Sequence, residues 1–68
     1  MKWLIEAFPY NSYNRAYYTF DEGSGELKDS CGGLIYTFIA WATDVSAVEM
    51  FLRNRLGCTI VDSVEFEG

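Results

Sequence analysis

Leu34-Ile35-Tyr36-Thr37-Phe38-Ile39-Ala40-Trp41 is the longest uncharged apolar run in the chain. At Thr43-Asp44 it gives way to Val45-Ser46-Ala47-Val48-Glu49-Met50-Phe51-Leu52-Arg53-Asn54-Arg55-Leu56-Gly57. The second half has helical spacing: Val45, Val48, Leu52 and Leu56, with Phe51 beside them, recur on one side of a 3.6-residue period. Asp44 or Thr43 supplies the N-cap, and Ser46 with Glu49 forms a rival capping box that would start the helix two residues later. Arg53 and Arg55 suit the negative C-terminal end of the dipole, and Gly57 suits the left-handed residue that closes a helix. Glu49 and Arg53 are spaced for an i,i+4 ion pair on the wet side. The spacing predicts one helix between Asp44 and Leu56.

The apolar run before it reads as a strand from Leu34 to about Ala42. Leu34, Tyr36, Phe38 and Ala40 share one face and Ile35, Thr37, Ile39 and Trp41 the other. Such a run belongs in the middle of a sheet or beneath a cover. Further back, Lys2 to Phe8 alternates, with Trp3, Ile5 and Ala7 on one face and Lys2, Leu4, Glu6 and Phe8 on the other. Pro9 ends that strand, and Tyr10-Asn11-Ser12-Tyr13-Asn14 has the composition of a hairpin turn. A second strand runs from Arg15 to Phe20, alternating Ala16, Tyr18 and Phe20 with Arg15, Tyr17 and Thr19.

Residues 21–33 read as a long connection, opened by the Asp21-Glu22-Gly23-Ser24-Gly25 turn. It carries four of the ten acids: Asp21, Glu22, Glu26 and Asp29. Past the helix, Cys58 to Phe66 places Ile60, Val64 and Phe66 on one face. Asp62 falls in that register, and a bulge near Val61-Asp62 would repair it. The fold class expected is therefore α+β: a small β-β-β-α-β domain spanning residues 1–68, with a mainly antiparallel sheet of three to four strands and the helix on one face. A returning helix makes the last strand parallel to the one before it, and hence to the first. The expected spatial order is 4-1-2-3.

One helix covers one face of a sheet. If Trp3, Ile5, Tyr18 and Phe20 face the helix, then Leu4, Phe8 and Tyr17 face outward, and the second face is either an interface or the resting place of the 21–33 connection. Leu27 is the only apolar plug that connection offers.

Ten acids against five bases give a net charge of -5 and a pI near 4.3. That balance repels phosphate backbones, so direct nucleic-acid binding is disfavoured and a basic partner is favoured. The chain has no histidine, which removes Ser-His and Cys-His nucleophile pairs. Cys31 and Cys58 lack the spacing of a zinc knuckle or a redox motif and read as two small buried thiols in a reducing compartment. The acids and glycines of residues 21–29 do not fit the calcium loop of an EF-hand, because Glu26 stands where glycine is required. No signal peptide and no membrane span of about 20 apolar residues is visible. The expectation is a cytoplasmic protein without enzymatic activity, cofactor, metal or membrane contact.

What remains is binding. Five tyrosines supply rigid contact area with a polar tip, and interspersed carboxylates suit a basic surface. In size, acidity and lack of motifs the chain resembles phage-encoded inhibitors such as anti-CRISPR and anti-restriction proteins. That resemblance implies a competitor for the basic surface of a host protein that handles nucleic acid. The residues expected to meet the partner are Asp21, Glu22, Glu26 and Asp29, with Tyr17, Glu65 and Glu67. The alternative is a homodimeric structural or accessory subunit of a larger assembly, joined through the apolar sheet face.

Overall fold

Period-two alternation lays down the first hairpin as read. The computed structural model describes residues 1–66. β1 (Lys2–Phe8) pairs antiparallel with β2 (Ala16–Asp21), Trp3 opposite Phe20 and Ile5 opposite Tyr18. Ile5, Ala7, Tyr18 and Phe20 are buried on one face, while Leu4 and Tyr17 are exposed on the other. The turn between the strands closes through the Ser12 N–H, which donates to the Pro9 carbonyl at 3.1 Å, with Asn11 at φ 61.

The connection at 21–33 is not a loop. It contains a strand, β3 (Glu26–Asp29), paired antiparallel to β2 and followed by β4 (Leu34–Thr37), antiparallel in turn to β3. Leu27 is fully buried opposite Phe20, on the side that faces the helix. The connection thus extends the sheet and does not cover its second face.

β4 is also shorter than its apolar run. After Thr37 the chain leaves the sheet, and the N–H groups of Phe38 and Trp41 donate to the carbonyls of Gly25 and Glu22 at 2.7 and 2.9 Å. The departure turns Phe38 into an aromatic cluster. Its ring centroid lies 5.8 Å from Phe20, 4.8 Å from Tyr36 and 5.3 Å from Phe51, all three edge-to-face. Such pairs add about 0.5–1.5 kcal/mol each beyond buried area.

α1 (Val45–Leu56) starts at Asp44, whose carboxylate accepts from the Ala47 N–H at 3.1 Å. It ends at Gly57, φ 66, whose N–H bonds the Arg53 carbonyl. Asp44 is therefore the cap, and the rival box at Ser46 is unused. Val48 and Leu52 are fully buried. Val45 and Phe51 pack partly against them. Leu56 stays 38% exposed. Glu49 does not reach for Arg53: its Oε2 accepts from Ser63 Oγ at 2.5 Å, tying the helix to β5 (Thr59–Phe66).

β5 lies beside β1, as expected, but antiparallel to it; the sheet order is β4-β3-β2-β1-β5. The parallel expectation failed through the uncounted strand. A returning helix does keep the last strand parallel to the strand before it. With four strands ahead of the helix instead of three, that direction is opposite to β1. Among the described residues the fold is α+β, with five strands, every neighbouring pair antiparallel, and one helix. The register shifts between Glu6 and Ala7, where Val61 is left without a partner on β1. The bulge falls where the alternation points, but it does not keep Ile60, Val64 and Phe66 on one face: only Ile60 stays on the helix side, opposite Ala7. The shift sets Asp62 opposite Glu6 on the open face, and with it Val64 opposite Leu4 and Phe66 opposite Lys2.

Among the described residues no helix is long and apolar enough to cross a membrane. Both cysteines are unbridged. Cys58 is buried as expected, whereas Cys31 is exposed on the turn after β3.

Candidate functional site

The β2–β3 turn is built from short-range hydrogen bonds. Asp21 Oδ1 accepts from the Gly23 N–H at 2.8 Å, its carbonyl accepts from the Gly25 N–H at 2.7 Å, and Ser24 Oγ accepts from the Glu26 N–H at 3.3 Å. Asp and Ser side chains favour such turns because they reproduce a backbone bond locally. The Glu22 N–H donates to the Met1 carbonyl at 2.9 Å, fastening the turn to the start of β1. Gly25 is buried at φ 77, and a side chain there would overlap the Phe38 carbonyl. Only glycine combines that angle with so close a backbone approach.

Over this turn lies the segment 38–43. The Ile39 carbonyl accepts from the Ala42 N–H at 3.3 Å and from Thr43 Oγ1 at 3.1 Å. Trp41 takes φ 61, an unusual angle for a bulky residue. Its ring covers Gly23, where an added Cβ would come within 3.2 Å of Cζ2. Trp41 and Ile39 are each 75% exposed. A large aromatic is thus held on the surface by its backbone, with its ring over Gly23 of the turn.

The carboxylates of the turn differ in their engagement. Asp21 serves the turn through one oxygen. Glu26 stands 3.5 Å from Lys28 in an exposed ion pair, of the kind worth little in water. Glu22 has no side-chain partner among the described residues. Beneath the turn, on the open face, a shallow depression of about 200 Å³ is lined by Lys2, Thr19, Phe20, Asp21, Glu26, Lys28 and Phe66. Its two cations and two carboxylates balance. Those carboxylates are the turn's own Asp21 and Glu26, so the turn shares its charge with the sheet face below and only Glu22 stands apart from the two lysines.

The register places the other expected contacts. Glu65 is exposed and pairs with Trp3, two strands from Phe20, so it lies at the same end of the sheet as the turn but on the helix side. Tyr17 is 42% exposed and pairs with Glu6, near the far end. Asp29 closes that far end. Its Oδ1 accepts from the N–H groups of Cys31 and Gly33 at 2.9 and 2.8 Å. Glu67 lies outside the described residues. The structure therefore brings Asp21, Glu22, Glu26 and Glu65 to one end, and sets Tyr17 and Asp29 apart from them.

Trp41 and Ile39 were missed as surface residues. They sit in the apolar run that reads as a strand, and nothing in its composition separates a buried Phe38 from an exposed Trp41. The Asp44 cap three residues later was the available signal, because a strand ending at Ala42 leaves no chain to turn into the helix.

Tyr18 is displaced from its usual range. Its pKa is pushed up to about 12, first by burial and then by its contact with Cys58, whose Sγ lies 3.7 Å from the hydroxyl. The negative charge of Asp29 adds to the rise. Tyr18 belongs to the core and not to the turn.

The fold and the turn together define a small antiparallel α+β domain that presents an acidic turn capped by an exposed tryptophan. No protein-family model, curated protein or solved structure matches the chain.

Proposed function

We propose that this chain is a non-enzymatic protein-binding module. It docks Trp41 and Ile39, together with Asp21, Glu22 and Glu26, onto a basic surface of a protein partner, with Glu65 at the margin. The reading is carried by one observation: Trp41, three-quarters exposed, is held at φ 61 above the acidic turn. Tryptophan is among the residues that dominate binding energy at interfaces, and carboxylates around it speed encounter with cations. A net charge of -5 makes a nucleic-acid-handling protein the natural partner. The module then acts as an inhibitor by occupying the surface that phosphates would use, as the anti-CRISPR and anti-restriction type does.

The test is affinity capture from a bacterial lysate at low and high salt. The native chain is compared with Trp41→Ala and with the triple variant Asp21→Asn, Glu22→Gln, Glu26→Gln. Asparagine at position 21 keeps an oxygen for the Gly23 N–H, so the turn survives. Captured protein should be lost with either variant and should fall away near 1 M salt, where the Debye length drops to about 3 Å. Capture unchanged by both variants ends this reading.

One observation favours the second reading, a homodimeric accessory subunit. The open face exposes Leu4, Tyr17, Val64 and Phe66 at 38–52%. Equilibrium sedimentation decides it: a dimer that Leu4→Glu converts to monomer supports it, and a monomer at high concentration removes it.

A further inference from the structure

The sheet has two edges, and they are not equally guarded. β4 is only four residues long, and short edge strands resist pairing with foreign chains. β5 runs for eight residues, paired to β1 on one side and to no other strand among the described residues on the other. Its sequence, Thr59-Ile60-Val61-Asp62-Ser63-Val64-Glu65-Phe66, contains no Lys, Arg or Pro, residues that commonly blunt an edge. The bulge at Val61 disturbs only its first part, and pairing to β1 is regular from Asp62 onward.

An edge donor needs a partner when no strand is there. The Ser63 N–H finds one in its neighbour: Asp62 Oδ1 accepts from it at 2.9 Å. That bond marks the Ser63 N–H as a donor that pairing with β1 leaves over, held by a carboxylate that a strand carbonyl could replace. Asp62 projects to the open face and Glu65 to the helix side, so the edge is acidic on both. Val64 and Phe66, 52% and 42% exposed, lie along it.

We propose that the edge of β5 from Asp62 to Phe66 receives an extended basic segment of a partner protein as a sixth strand. The proposal rests on the preceding reading for the basic character of the partner, and adds the surface and the conformation. On docking, a carbonyl of the incoming strand accepts from the Ser63 N–H. The released Asp62 carboxylate pairs with an incoming Lys or Arg, and backbone bonds supply affinity as in other strand additions. Charge sets the choice of occupant. A basic strand meets Asp62 and Glu65 with opposite sign, whereas a second copy would bring four carboxylates together between chains of charge -5 each.

The probe is a blocked ten-residue peptide alternating Lys and Val, titrated onto the isotopically labelled full chain. Its counterpart, N-methylated at every residue, keeps the charge and loses the strand donors. The unmodified peptide should shift the amides of residues 62–66 and slow their hydrogen exchange, and should bind at least tenfold more tightly than the methylated one. The double variant Asp62→Asn, Glu65→Gln should weaken that binding several-fold and leave the amide spectrum of β1 and β2 in place. Equal affinity for the two peptides overturns the proposal, as does no binding at millimolar peptide. Shifts confined to residues 21–26 and 41 also overturn it, and leave the tryptophan-capped turn standing. A β5 signal that disappears on dilution of the protein alone assigns the edge to a second copy and overturns it too. If instead the triple variant of the turn captures its partner unchanged while the peptide result holds, the turn reading fails and the edge survives.

Discussion

β3 hangs between two turns that make the same demand on the backbone and answer it in different surroundings. Gly25 at its start and Gly32 just past its end both take positive φ, 77 and 86. Around Gly25 the chain is crowded: the Phe38 backbone lies against it, Phe38 donates to its carbonyl, and Trp41 lies over the neighbouring glycine. Around Gly32 nothing lies within 4 Å of where a side chain would go. The first turn is a joint between two segments, and the second is a local loop closed by Asp29. The joint is the one that can hold an exposed Trp41 in a fixed place, because its shape is set from both sides.

The comparison is tested first at the crowded end. Gly25→Ala adds a left-handed penalty of about 1–2 kcal/mol to an overlap with the Phe38 carbonyl, and should cost more than about 3 kcal/mol in chemical denaturation. A loss near 1 kcal/mol would mean that segment 38–43 moves aside freely and does not fix Trp41.

Next is pH, which reaches the open end through Tyr18, the residue opposite Asp29. Its pKa is raised from 10.0 to about 12 when folded. The folded state therefore keeps the proton that the unfolded chain gives up. This contribution is complete below about pH 10 and is lost as pH rises toward about 12, on the order of 3 kcal/mol in all. Denaturation midpoints should fall across that window, and Tyr18→Phe should flatten the fall.

Asp29→Ala removes the acceptor of two N–H groups in an exposed turn and should cost about 1–2 kcal/mol, comparable to losing a helix cap. Asp29→Asn should recover most of it. If the alanine variant is neutral, water satisfies that turn and the carboxylate is free for a partner.

Smallest is Gly32→Ala, about 1 kcal/mol, since only the backbone angle resists it. A value equal to that of Gly25→Ala would erase the distinction between the turns.

The same two turns explain how much of the fold is legible in the sequence. The helix was legible because its signals are local: the Asp44 side chain, the Val48 and Leu52 spacing and the Gly57 angle all lie within the segment they define. β1, β2 and the Val61 bulge followed from alternation. β3 did not, because Glu26-Leu27-Lys28-Asp29 has one apolar residue among three charged ones, and a strand of four residues offers too few positions for a period. Gly23-Ser24-Gly25 reads as the end of the second strand, whereas together with Gly32-Gly33 it brackets a hairpin strand. That single omission reversed the direction of β5 relative to β1. The candidate site was half legible. Its carboxylates were visible as a cluster in sequence, whereas the placing of Trp41 depends on Gly25 and Glu22 meeting a segment more than a dozen residues away.

The bulge at Val61 reaches further than the repair of one misplaced acid. Had the alternation of β5 continued unbroken from Ile60, Asp62 would have been driven against the helix, and Val64 and Phe66 with it. One supernumerary residue moves all three across the sheet, so the acid reaches water only in company with two apolar neighbours. The wetting of one surface of this small molecule is thus governed by arithmetic as much as by composition. An insertion or deletion of a single residue in this stretch, leaving hydrophobicity almost unchanged, could exchange a greasy exterior for a salted interior.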